Sequence, residues 1–318
     1  MSESLPAGCT VRLPTTADAP AIYAAVAAYN TAILGYPNTS LNDIAEGLTD
    51  PAYDAERDGW LVFDADGRLV GYARVMQRTA NPMITVEVDL PDGPVSGWLY
   101  RTATARARQL ASEQGYAEVT LEAIAHRDDA ASRVQLEANG FTVHTSYHRM
   151  RVDHPSPIGA PAPPPGCELA HGPVDEVARR AAYDVMVAAF DGQTGSALRP
   201  YDQWVEAHDR RPTFDWPQLL LVALDGQVVA ACDTDDSFVE TDNCGYVGRL
   251  GVRPEYRGRG LAKFLLRQAF AASSAAGREG TMLHVDTNNP TPALGLYESV
   301  GMRPIQVADV YHRTVTTG

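Results

Sequence analysis

Apolar positions in this chain form short alternating runs, and longer amphipathic stretches separate them. Runs at 9–13, 60–63, 69–76, 83–88 and 118–123 have the period of half-buried strands. Ile22, Val26 and Tyr29 recur at helical spacing behind Thr16-Ala17-Asp18, a helix start. Further helices are predicted over 41–54, 98–114 and 130–138, the last stopping at Gly140. Ala65-Asp66-Gly67 between two strands reads as a hairpin turn. A closing strand or hairpin arm is predicted over 141–152.

The pattern then breaks. Residues 154–166, HPSPIGAPAPPPG, hold six prolines and almost nothing able to pack, so they predict a stiff, extended connector. Beyond it the first order of elements returns: a strand at 167–170, helices at 174–190 and 200–209, and a hairpin of 219–224 with 228–232. A strand at 245–252, a long helix from Leu261, a strand at 282–285 and a helix at 292–299 complete it. Matching features keep a slowly drifting offset. Asp66-Gly67 and Asp225-Gly226 lie 159 apart, Leu136 and Tyr297 161 apart, Tyr147-His148-Arg149 and Tyr311-His312-Arg313 164 apart. Two divergent copies of one domain give this signature. The predicted organisation is therefore a first domain over 1–153, a linker over 154–166 and a second domain over 167–318.

The second copy carries the most informative stretch, GRLGVRPEYRGRGLAKFLLRQAF from Gly248 to Phe270. A strand with Leu250 and Val252 ends before Pro254, and Arg257-Gly258-Arg259-Gly260 makes a compact turn. Leu261, Phe264, Leu265, Gln268 and Ala269 then fall on one helical face. Such a turn leaves backbone N–H groups unpaired at the positive end of a helix. The glycines leave room for an anion to reach them, and the arginines add charge. Phosphate or pyrophosphate is the natural occupant. Neither the G-x-G-x-x-G fingerprint nor a Lys-Ser/Thr phosphate loop is present.

Arg257-Gly258-Arg259-Gly260-Leu261-Ala262 resembles the Arg/Gln-x-x-Gly-x-Gly/Ala signature of the GCN5-related N-acetyltransferases (GNAT), whose loop holds the pyrophosphate of acetyl-CoA. Some thirty residues on, Asn289 followed by Ala293-Leu294-Gly295-Leu296-Tyr297-Glu298 and Gly301 resembles that family's closing motif, with Met302 where Phe is usual. The resemblance covers essentially the whole chain. It implies a mixed α/β (α+β) fold of two tandem GNAT-like domains, each a mostly antiparallel central sheet flanked by helices. Tandem duplication with one intact copy is also the plan of the mycothiol synthases. The strand of Leu250 and Val252 is expected to splay from that of Leu283 and Val285. The pantetheine arm would then bond to the opened backbone as an added strand. A backbone N–H near Val252 would polarise the thioester carbonyl. Leu250, Gly251, Val252, Arg257, Gly258, Arg259, Gly260, Leu261, Ala262, Asn289 and Tyr297 form the expected acetyl-CoA set.

Tyr297 stands where the family keeps a tyrosine that protonates the departing thiolate. The base is less defined. Many relatives place a Glu on the strand before Leu250, where this chain has Gly248-Arg249. Glu240, in the acidic hairpin 233–242, is the chosen candidate, with Asp286 and water-relayed deprotonation as alternatives; His284 and His312 read as packing or hydrogen-bonding residues. In the first copy, Val88-Asp89-Leu90-Pro91 leads to DGPVSGWLY, which has no arginine pair, and Pro94 removes an amide donor. That copy is expected to buttress the active one, to line its amine pocket, or to be an ancestral remnant.

Composition narrows the partners. With 40 acidic against 26 basic residues and a net charge of −14, nucleic acid and anionic membrane are disfavoured, and a cationic substrate is weakly favoured. Four scattered cysteines have neither metal nor redox spacing, so no metal is expected, and a reducing cytoplasm is. The expected activity is transfer of an acetyl group from acetyl-CoA to a primary amine of a small molecule, by a monomer or homodimer. A protein or antibiotic amine as acceptor, or a non-catalytic acyl-CoA sensor or partner-binding module, are the alternatives.

Overall fold

A computed structural model of the protein describes residues 4–50, 53–77, 82–90, 93, 95–171, 175–191, 199–288 and 293–317. The chain divides into two compact units. One comprises Met1–Ser146 with Val307–Gly318, the other Tyr147–Gln306.

The elements of the first repeat run β1 (Thr10–Arg12), α1 (Ala19–Leu34), α2 (Leu41–Leu48), β2 (Gly59–Phe63), β3 (Leu69–Met76) and β4 (Met83–Val88). Then come α3 (Val95–Glu113), β5 (Glu118–His126), α4 (Ala130–Ala138) and β6 (Thr142–Asp153). The second repeat runs β7 (Cys167–His171), α5 (Glu176–Phe190), α6 (Tyr201–Asp209), β8 (Leu220–Leu224), β9 (Gln227–Asp235), α7 (Val239–Asp242) and β10 (Cys244–Val252). It closes with α8 (Leu261–Ala275), β11 (Gly280–Asp286), α9 (Ala293–Ser299) and β12 (Arg303–Thr316). Most boundaries follow the hydrophobic pattern, but α2 stops at Leu48 rather than 54. Gly47 weakens its end and Pro51 cannot continue it.

Both units use one pairing scheme. In the first, β1 to β4 are joined antiparallel in sequence order, β4 runs parallel to β5, and β12 closes antiparallel on β5. In the second, β7 to β10 are antiparallel in order, β10 runs parallel to β11, and β6 closes antiparallel on β11. The last strands are thus exchanged between repeats. Met150 of β6 is fully buried in the core of the second unit, beside Leu265 and Leu283. Tyr311 of β12, 1% exposed, is buried in the core of the first, with Leu121 and Leu136. This corrects the boundaries drawn on composition: residues 147–153 belong with the second unit and 307–318 with the first. A strand's own alternation says which face it buries, not which sheet receives it.

The proline-rich segment is also more than a spacer. Ile158 packs against the core of the second unit and its N–H donates to Ser274 Oγ at 3.1 Å. Gln268 Nε2 donates to Pro161 O at 2.7 Å, which gives this polar member of the buried α8 face its partner. All five residues predicted for that face, Leu261 to Ala269, are buried. Met186 and Trp204 of α5 and α6 cover the opposite face of the sheet with Leu221 and Ala231.

Candidate active site

The site begins with a broken strand pair. β10 and β11 are paired only from Cys244–Gly280 to Val247–Leu283. At Gly248 a bulge inserts one residue into β10, and from Arg249 to Val252 that strand keeps only β9. β11 keeps β6 through His284–Arg149, Val285–His148 and Asp286–Tyr147. The two strands therefore part beyond Val247, and a cleft of about 670 Å³ occupies the opening.

The direction of the freed backbone follows from alternation. Arg253 N–H donates to Val229 O on β9 at 3.0 Å. Along an extended strand the next amides back alternate, so the N–H groups of Val252 and Leu250 point away from β9 into the opening. Val252 O lies on the same side, where Arg257 Nε reaches it at 3.4 Å.

At one end of the cleft lies the glycine turn. Gly258 and Gly260 have φ of +75° and +78°, the left-handed region, and a Cβ at either would meet nothing within 4 Å. Gly260 caps α8 with no side-chain bond, and Phe264 makes the first helical bond, to Gly260 O at 2.9 Å. Among the described residues, no N–H from Gly258 to Lys263 has a backbone acceptor. The result is an open nest of donors on the positive end of a helix. Lys263 also lines the cleft.

Of the predicted cofactor residues, Leu250, Val252, Arg257, Gly258, Gly260, Leu261, Ala262 and Tyr297 border this one cleft. Others do not. Gly251 faces α5, where a Cβ would come within 3.0 Å of Ala189 and of Met186, so its absent side chain serves packing. The Arg259 guanidinium lies over the Tyr256 ring, 5.1 Å from its centre, instead of joining the cleft. Arg257 spends one donor on Ala189 O at 2.9 Å, tying the turn to the end of α5. Asn289 and Pro94 lie outside the described residues. Glu240 sits exposed on the single turn of α7 and borders neither cavity described here.

Tyr297, on α9, packs against the core beside the cleft, and burial pushes its pKa up to about 12. Across from it His284 joins a relay that sequence alone does not reveal. Arg149 Nε donates to His284 Nε2 at 3.1 Å, which leaves Nδ1 to donate to Tyr246 Oη at 3.0 Å. Burial, then the Arg149 charge, lowers the His284 pKa to about 4, so the ring is neutral near pH 7. Tyr147 of β6 also lines the cleft, so the first repeat's closing strand contributes to it.

A second cavity, of about 350 Å³, shares Gly248 and Arg249 with the first. His208 and Asp233 meet in it at 2.9 Å, both buried. His208 Nδ1 faces Trp204 O at 2.8 Å, a carbonyl that can only accept, so Nδ1 carries a hydrogen. Arg211 pairs with buried Asp235 at 2.8 Å. The i, i+4 spacing of Trp204 and His208 put both on one helix face, the signal available in the sequence. Their arrival at Asp233 depends on how α6 packs.

A sheet opened beside a glycine-rich helix start defines a class: α/β folds that receive an extended, phosphate-bearing ligand between parted strands. The comparison with known proteins narrows it, for residues 186–302 match the "Acetyltransferase (GNAT) family" model. A mycothiol acetyltransferase of Thermobispora bispora is 28% identical over 193 residues, which is 59% of this chain and 64% of that relative, so the match spans just under two thirds of its length. The crystal structure of a GCN5-related N-acetyltransferase from Sphaerobacter thermophilus has a TM-score of 0.79 at 26% identity and covers 98% of both chains. A tandem GNAT protein from the clavulanic acid biosynthesis pathway shares the fold at 17% identity, with a TM-score of 0.67 over 98% of this chain and 99% of its own. Among the described residues no helix is long and apolar enough to cross a membrane.

Proposed function

We propose that the unit spanning Tyr147–Gln306 transfers an acetyl group from acetyl-CoA to a primary amine of a small molecule. The observation that carries this reading is the convergence on one cleft of the Val252 N–H, the open amides from Gly258 onward and Tyr297. Acetyl-CoA supplies an activated thioester and a diphosphate. The amides of residues 258–263 and Lys263 would hold the diphosphate, and the freed edge of β10 would take the pantetheine amides. Val252 N–H would stabilise negative charge on the carbonyl oxygen. As the amine's C–N bond forms and the C–S bond breaks, the amine gives up one proton and the sulfur gains one. Tyr297 Oη would donate a hydrogen bond to the departing sulfur, and solvent would supply the thiol's proton. In place of Glu240, Asp233 would take the amine's proton, because its buried Oδ1 has no hydrogen-bond partner while Oδ2 is held by His208.

The test is thiol release from acetyl-CoA across a panel of small amines, beside a direct titration of acetyl-CoA. Wild type should bind and turn over, and Gly260→Val should raise the acetyl-CoA KM by about tenfold or more, because a branched side chain disfavours positive φ and crowds the anion. Binding without turnover on any amine would instead favour an acyl-CoA sensor.

A further inference from the structure

Arg249 and Asp233 stand directly opposite each other on β10 and β9. Residues so paired present their side chains on one face, with Cβ atoms about 5 Å apart. Opposite charges in that position would be expected to close on each other. Here, among the described residues, no ion pair within 4.0 Å joins them, and Asp233 Oδ1 and Arg249 Nη1 are each buried with no hydrogen-bond partner. Asp233 is only 4% exposed, and Oδ2 is fixed by His208. A buried acceptor and a buried donor left open in one small cavity are costly to keep unless something binds there.

The lining tells what that is. Arg199, Arg211 and Arg249 border the cavity with Asp233, and Arg211 is already committed to Asp235. Arg199 and Arg249 therefore outnumber the single carboxylate. The Arg249 guanidinium lies over the Phe190 ring, 5.4 Å from its centre, so a plain monoamine would satisfy Asp233 and still leave Arg249 Nη1 without a hydrogen-bond partner. Arginine's planar fork matches a carboxylate in two parallel bonds. Trp204, Ala207 and Tyr246 supply a less polar wall for the remainder of the molecule. Because Arg249 and Gly248 also border the larger cleft, a ligand held here lies next to the opened strand edge.

We propose that this cavity binds a small zwitterionic acceptor, a primary amine that also carries a carboxylate, with the ammonium on Asp233 Oδ1 and the carboxylate on Arg249. The proposal rests on the transfer reading above and names the acceptor class for it. Its test compares, for several side chains, a free amino acid, its carboxamide and the decarboxylated amine as acceptors with acetyl-CoA. The free acid should be preferred by about tenfold or more in kcat/KM, since a site built around a polar group discriminates against analogues lacking it. Arg249→Gln should abolish that preference by raising the KM of the acid rather than that of acetyl-CoA. Equal use of acid and amide, or an Arg249→Gln effect confined to the acetyl-CoA KM, would overturn it. If no amine releases thiol, the transfer reading fails, and thermal shift with the free amino acids alone decides the present one. A rise in Tm in wild type that Arg249→Gln loses upholds the ligand class, and no rise refutes it.

Discussion

Removing one oxygen from the protein, in Tyr297→Phe, probes the reaction at the sulfur. The burial that raises this phenol's pKa to about 12 lifts it above the ordinary value by about 3 kcal/mol in favour of the neutral form. The hydroxyl thus keeps its proton at any practical assay pH. The same shift makes it a reluctant acid. Complete transfer to a thiolate whose conjugate acid titrates near ~8.5 would run uphill by about 5 kcal/mol. Tyr297 is therefore expected to act by donating a hydrogen bond to the departing sulfur. A hydrogen bond to a charged group contributes about 1.5–3 kcal/mol, equivalent to about 10- to 150-fold in rate. Tyr297→Phe should lower kcat by that factor and move the acetyl-CoA KM less than about threefold, read as thiol release between pH 6.5 and 9.5 (a conventional assay range of about three units). Unchanged kcat would refute the reasoning. So would a wild-type alkaline limb near pH ~9 that vanishes in the variant, because it would place the titration well below the folded phenol.

The exchanged strands predict cross-effects. Met150→Ala should cost about 2–5 kcal/mol and loosen residues 147–306, while Tyr311→Ala should cost about 3–5 kcal/mol and loosen residues 4–146; hydrogen exchange with peptide resolution reads both, and the reverse pattern would contradict the pairing. His284 predicts acid sensitivity. Its folded pKa of about 4 lies below the ordinary 6.5, so the stability it contributes is present above pH 6.5 and lost as pH falls through 4. Allowing for the side open to the cleft, the loss should be about 1–2 kcal/mol. Urea melts across that window should show His284→Gln with a correspondingly flatter acid limb.

What the sequence discloses is what a few neighbouring residues encode. The positive-φ glycines, the α8 face and the strand ending at Val252 are local, and the cleft forms where they predict it. Leu136, the first repeat's counterpart of Tyr297, is fully buried core, in keeping with its chemistry. The sequence does not fix where Arg259 lies, because a flexible cation beside a turn can lie over Tyr256 as readily as over an anion. The second cavity was out of reach for another reason. His208 and Asp233 are 25 residues apart on different elements, and nothing in either segment's own pattern says that α6 sets one against the other. The acidic hairpin drew attention to Glu240 by charge density, whereas burial singles out Asp233 at its first position.

The strand exchange also sets a timetable for folding during synthesis. Residues 147–153 are made before the sheet that will receive them, so the second unit finds its closing strand waiting. The first unit must stand open until β12 emerges some 170 positions after Ser146. At about 5–20 residues per second, that leaves β5 with an uncovered edge for roughly ten to thirty seconds, the interval in which a chaperone or a second nascent chain has its opportunity.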